Sequence, residues 1–183
     1  MRRREFLNVL AVGPLVGIAG CLSSKDLSLA NFSEHDDLEV TFTGKVLQQP
    51  TDENPPRIEL RFRNEGEKRT MYFGGVKPGT FPERTGTLVL IPDTREPIGS
   101  WDPNAPAEFV PDSQKDCWRA LNTPVWGDYL EKTIIEAGEE LTERYTLLAH
   151  ANADNCFPPG EHRFEDTFKI HDYHSLYFDV VVP

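Results

Sequence analysis

The chain has 183 residues, and its 30 acidic against 19 basic side chains leave a formal net charge of −11. Like-charge repulsion of that size argues against direct binding to nucleic acid or to a bare anionic lipid surface. The length holds one domain with a proper core but not two large lobes.

The first segment in chain order is MRRREFLNVLAVGPLVGIAGC. Between Phe6 and Gly20 only Asn8 and Pro14 interrupt an apolar run, which is shorter than the roughly 20 residues a membrane-crossing helix needs. A basic start, a short apolar stretch and small residues before a processing point are the parts of an export signal. Arg3 and Arg4, followed by Phe6 and Leu7, resemble the twin-arginine signal, a route that carries proteins already folded. Ile18-Ala19-Gly20-Cys21 resembles a lipobox. The resemblance departs from the common pattern at Ile18, where Leu is usual, at Asn8, where a basic residue often sits, and at Arg2, which replaces a hydroxyl residue. It implies removal of residues 1–20 and a lipid on Cys21, which would anchor the domain to the outer face of the cell membrane. Losing three arginines and Glu5 takes the mature charge to −13. Twelve arginines stand against seven lysines, and the acids are spread from Glu34 to Asp179. Dense counterions screen such self-repulsion, so the pattern suits high salt. Joined to the signal, it resembles the exported lipoproteins of halophilic archaea.

Residues 21–37, CLSSKDLSLANFSEHDD, are small and polar without a sustained period and are expected to form a flexible tether. Asn31-Phe32-Ser33 is a sequon, which makes Asn31 a candidate glycosylation site. The domain is expected over residues 38–183. Leu38, Val40 and Phe42 alternate with polar residues, as do Ile58, Leu60 and Phe62, so each segment reads as a strand with one apolar face. Asn64 to Glu67 is a turn signal, and Thr70 to Phe73 can return antiparallel. Thr87 to Ile91 is apolar on both faces and reads as a central, covered strand. Thr94 to Asp116 carries four prolines and reads as a long surface excursion. Its Trp101 and Phe109, with Trp118 and Trp126 beyond it, make the candidate binding loop, because long loops on a rigid scaffold are where such domains bind. The competing reading is that the tryptophans cover the core.

Ala137 to Glu140 is a turn, and Leu141, Tyr145 and Leu147 share one strand face on which Glu143 is the exception. Pro159-Gly160 fits the centre of a type II turn. Arg163 to Ile170 and Leu176 to Val182 are the closing strands. Seven or so short strands without an amphipathic helix indicate an all-β fold of two packed antiparallel sheets. Residues 133–183, with their Ala-Gly-Glu-Glu-Leu and Pro-Pro-Gly-Glu-His-Arg-Phe runs, resemble the end of immunoglobulin-like domains in exported archaeal lipoproteins. They are loosely similar to the intracellular proteinase inhibitor type. That resemblance implies an immunoglobulin-like antiparallel β-sandwich with one long proline-rich loop.

With Cys21 taken by lipid, Cys117 and Cys156 are an even pair outside the cell, where disulfides persist, and they are expected to be joined. A copper site of cupredoxin type would use Cys156 and His162, but their separation is too long for that pattern and no methionine follows. His171 and His174 are the weak metal candidates that remain. A Gly-x-Ser-x-Gly nucleophile turn and a phosphate-binding glycine loop are both absent. The expected function is that of a lipid-anchored cell-surface binding or accessory protein, not an enzyme. It needs no cofactor and takes an unknown protein or cell-surface ligand as partner, not nucleic acid. The alternatives are a metal-binding or redox protein and a protease-inhibitor-like domain.

Overall fold

The computed structural model describes residues 26–74, 76–83, 85–95, 97, 99–100, 108–113, 117–127 and 129–183. The export-signal residues Arg3, Arg4, Phe6 and Leu7, the lipidation candidate Cys21 and Trp101 lie outside them. The first half of the chain forms strands β1 (Ser28–Ala30), β2 (Val40–Gln48), β3 (Arg57–Asn64), β4 (Arg69–Gly74) and β5 (Leu88–Pro92). Two-residue strands β6 (Gly99–Ser100) and β7 (Pro124–Val125) follow, then β8 (Leu130–Ile135), β9 (Glu140–Ala149), β10 (Gly160–Lys169) and β11 (Tyr173–Val182). They build an all-β fold of two antiparallel sheets, one in the order β1-β11-β10-β4-β8 and the other in the order β2-β3-β9-β5, with β6 and β7 paired separately.

Alternation decides what lies between the sheets. Ile58, Leu60 and Phe62 of β3 face inward with Tyr145 and Leu147 of β9, and they meet Phe73, Phe164, Phe168, Phe178 and Val180 of the other sheet in one core. Phe62 touches Phe73 and Phe168 edge-on, with ring centres 5.1 Å away in each case. Such aromatic pairs add to the stabilisation from burial alone.

The segment between β4 and β5 plugs this core with Phe81, which stacks on Phe42 at 5.6 Å and meets Phe178 edge-on at 5.5 Å. Asp166, on the inner side of β10, holds the plug by accepting the backbone N–H groups of Thr80 and Phe81 and the Thr80 hydroxyl. The backbone passes so close that a Cβ on Gly79 would lie 2.8 Å from an Asp166 oxygen and 3.0 Å from the Phe81 ring, so any larger residue would have to displace one of them. The buried Tyr145 hydroxyl donates to the Gly79 carbonyl at 2.7 Å.

Two expectations are corrected. Residues 26–37 are not a free tether: Leu27 is buried, β1 pairs with β11, and Ser33 is buried with its backbone N–H on the Tyr177 carbonyl. The pairing offered by the β11 edge overrides the polar composition of the segment. The strand at Thr87–Ile91 is not central but lies at the edge of its sheet, beside β9. It is apolar on both faces because the excursion covers its outer side. Phe109, Trp118 and Ala120 pack there with Ile91 and Leu148 in a second, smaller core.

Replacing Phe81 by Ala removes the plug and leaves a cavity. The expected loss is about 3–5 kcal/mol, read as a lower urea midpoint with the denaturant slope unchanged; a loss under 1 kcal/mol would show that the segment folds independently of the core.

Candidate functional site

Most of the described residues singled out in the sequence serve the fold. Cys117 and Cys156 are joined by a disulfide that ties the excursion to the segment after β9, with Cα atoms 5.7 Å apart. Cys156 therefore has no thiolate with which to hold copper. Phe109 and Trp118 are buried, and the Trp118 indole N–H donates to the Thr51 carbonyl at 2.7 Å. Trp126 is half-buried against the main core. Three of the four aromatics of the candidate binding loop thus turn inward, because the excursion needs its own apolar contacts to lie on β5.

Asn31 is exposed, but its side-chain nitrogen, the atom a glycan would occupy, donates to the buried Asp179 carboxylate at 2.7 Å. Asp179 also takes both ends of the Arg163 guanidinium, at 2.7 and 2.9 Å, and Arg163 stacks over Tyr177. His171 is exposed in the β10–β11 turn, whereas the His174 ring packs on Phe168 at 5.3 Å. His35 approaches Phe168 edge-on at 5.2 Å. Among the described residues, no group of three or more His, Cys, Asp or Glu side chains is placed to hold a metal ion.

Glu83 is buried beside the main core in a satisfied polar nest. It accepts the Thr85 hydroxyl at 2.7 Å and the Thr87 N–H at 2.9 Å, and it lies 3.6 Å from His162 Nδ1. Burial pushes its carboxyl up, but the Thr85 hydroxyl, the Thr87 and Thr85 N–H groups and His162 outweigh that and hold it below the usual range. His162 Nε2 donates to the Pro158 carbonyl at 2.7 Å, so in the neutral ring Nδ1 accepts the Thr87 hydroxyl at 3.2 Å. Both ring nitrogens are engaged. The adjoining cavity of about 170 Å³, lined by Phe81, Leu88, Leu90, Trp126 and His150, is mainly apolar.

The two outer sheet faces differ in kind. On β2-β3-β9 the ladder places Lys45, Glu59 and Arg144 in one cross-strand row, and Lys45, Arg61 and Arg144 all bind the Glu59 carboxylate. The Arg61 hydrogen bond, helped by Arg144 and Lys45, holds the Glu59 carboxyl at about 2 despite its burial. Arg57 pairs with Asp93 and Arg63 with Glu65. This face is closed by its own ion pairs.

The face of β11-β10-β4-β8 is built otherwise. Tyr173 pairs in register with Lys169, Lys169 with Tyr72, and Tyr72 with Lys132, so one row across four strands reads Tyr-Lys-Tyr-Lys. The Lys169 ammonium lies 5.2 Å from the centre of the Tyr173 ring. Beside the row stand Ile134, 56% exposed, and Leu130, 40% exposed, while Tyr173 is 61% exposed. The other described lysines, Lys45, Lys68 and Lys77, are held by carboxylates. Lys132 and Lys169 have no ion-pair partner among the described residues. The sequence reading missed this row because β8 was not recognised: its pattern LEKTII alternates a charge with isoleucine and leucine on the solvent side. The signal available was the pair of Tyr and Lys at alternate strand positions, which has no meaning until register is known.

Neither a family model, nor a curated protein, nor a solved structure matches the chain.

Acid should weaken the fold in two stages. Burial lowers the His35 and His150 pKa values below 6.5, with His174 adding to the effect at His35. Their neutral forms are favoured in the fold, so that stability is complete above pH 6.5 and is lost as pH falls below it. Glu59 and Glu83 have lowered pKa values, so their contribution is complete above 4.5 and is lost as pH falls further, towards about 2 for Glu59. Urea midpoints measured from pH 8 to pH 3 should be flat, then fall in these two windows. A midpoint that rises between pH 7 and pH 5.5 contradicts the first.

Proposed function

We propose that the protein is an immunoglobulin-like β-sandwich held outside the cell membrane through Cys21, and that it acts by binding through the outer face of β11-β10-β4-β8. Support for the fold assignment is the strand order. β2-β3-β9-β5 corresponds to the A-B-E-D sheet of such domains, and β11-β10-β4 to the G-F-C sheet. The order departs from that pattern where β5 precedes β8, with the disulfide-tied excursion between them. The observation that carries the binding reading is the asymmetry of the two faces. One is neutralised by its own ion pairs, and the other presents exposed Tyr173, Ile134 and Leu130 around two lysines without carboxylate partners among the described residues. An exposed apolar patch rimmed by polar groups marks an interaction site.

Anchoring is tested by fractionating cells that express the full chain. Cys21→Ala should move the protein from the membrane to the medium, and Arg3→Lys with Arg4→Lys should leave the unprocessed form inside. Binding is tested with the released Cys21→Ala chain on isolated cell envelopes. Lys132→Glu with Ile134→Glu should lower retention at least ten-fold, whereas Arg61→Gln on the opposite face should not. Equal retention by both variants would remove the proposed face.

A further inference from the structure

The row Tyr173-Lys169-Tyr72-Lys132 has a repeat, and the repeat identifies a ligand class. Neighbouring strands lie about 4.8 Å apart, so the four backbone positions span about 14 Å and the two lysines are rooted two strands, or about 9.6 Å, apart, with the Lys169 ammonium leaning towards Tyr173. A ring precedes each cation along the row. A pyranose chain advances by close to one strand spacing per sugar. A chain laid along the row therefore meets a tyrosine at every second sugar and a lysine at every sugar between.

Tyrosine is suited to the C–H face of a sugar ring because it combines an apolar plate with a polar edge. Lysine supplies a point charge for a carboxylate or sulfate. The local charge fits such a ligand despite the overall acidity. Arg163, on the same face, is held by Asp179, and Glu131 of β8 is taken by Lys77 at 2.6 Å. Glu165 lies four residues from Lys169 along β10, in register with Tyr177 and outside the row.

The geometry points to an acidic glycan, with one anionic group on every second sugar, as the ligand of this face. The inference rests on the binding reading above and adds the chemistry of the partner. An extended acidic peptide is the poorer fit. Its side chains on one face repeat at about 6.8 Å, out of step with the two lysines.

The experiment uses the released Cys21→Ala chain and calorimetric titration at about 0.15 M salt, where charges on the surface still act over about 8 Å. Three probes are compared: a hyaluronan hexasaccharide, whose uronate falls on alternate sugars; a neutral hexasaccharide of N-acetylglucosamine; and polyglutamate of matched charge. Only the first should bind. Lys132→Gln, Lys169→Gln and Tyr173→Ala should each weaken it about ten-fold with an unchanged thermal midpoint, since Lys132 and Tyr173 are exposed and Lys169 lies half-buried on the outer face, away from the core. The inference is overturned if the acidic hexasaccharide does not bind or binds the variants equally well. It is also overturned if the neutral sugar binds as tightly, or if polyglutamate does, which would make the partner an acidic protein. Loss of envelope retention in the Lys132→Glu, Ile134→Glu chain, together with no glycan binding, would retain the binding face and discard the glycan.

Discussion

Phe168 is the point on which the two sheets are located. Its ring touches Phe62 of the opposite sheet, Phe73 of the neighbouring strand and the rings of His35 and His174. Its backbone is in register with Phe73 on one side and His174 on the other. Because side chains alternate along a strand, fixing Phe168 inward turns Lys169 outward. The same register then aligns Lys169 with Tyr72 and Tyr173. A slip of one residue would exchange core and surface along the whole of β10, so the position of the candidate site is a consequence of how the core is packed.

The core therefore bears on the acid response as well. His35 and His174 reach Phe168 from two sides, and burial there keeps the His35 pKa below its ordinary value. Glu59 and Asp179 show the opposite solution. Each is a buried carboxylate on an outer face held by cationic partners. Glu59 gathers three such partners and Asp179 is gripped by one guanidinium with Asn31. An acidic chain with few lysines has placed most of its described cations in ion pairs, four of them on these two buried carboxylates.

Strand identity was readable wherever one face was clean, as along Ile58 to Phe62 and Leu176 to Val182. Register was not, since it depends on partners distant in sequence. Two errors have the same origin. Ser28–Ala30 looked like tether because a strand of three residues is too short to show a period, yet the open edge of β11 supplies its hydrogen bonds. Thr87–Ile91 looked central because both of its faces are apolar, yet one of them is covered by the excursion and not by a helix or a sheet. The aromatics in and after that excursion were nominated as binding groups because they lie in a long loop, against the reading that they cover the core. Their role depends on β5 having an apolar back, which no local pattern discloses. The face at Lys132 and Lys169 was illegible for the related reason that it is assembled from four strands spread over residues 69–182.

The pairing of β1 with the far end of β11 sets a distance. Ser28 lies opposite Val181, whereas Tyr173 opens the same strand eight residues earlier. At about 3.4 Å per residue the two points are about 27 Å apart along a rigid strand. A domain held by the chain entering at Ser28 would carry the tyrosine–lysine row at the end of a stiff arm, standing clear of its point of attachment by nearly the length of the strand. Reach would then come from β11 itself, with no contribution required from a long or flexible stalk.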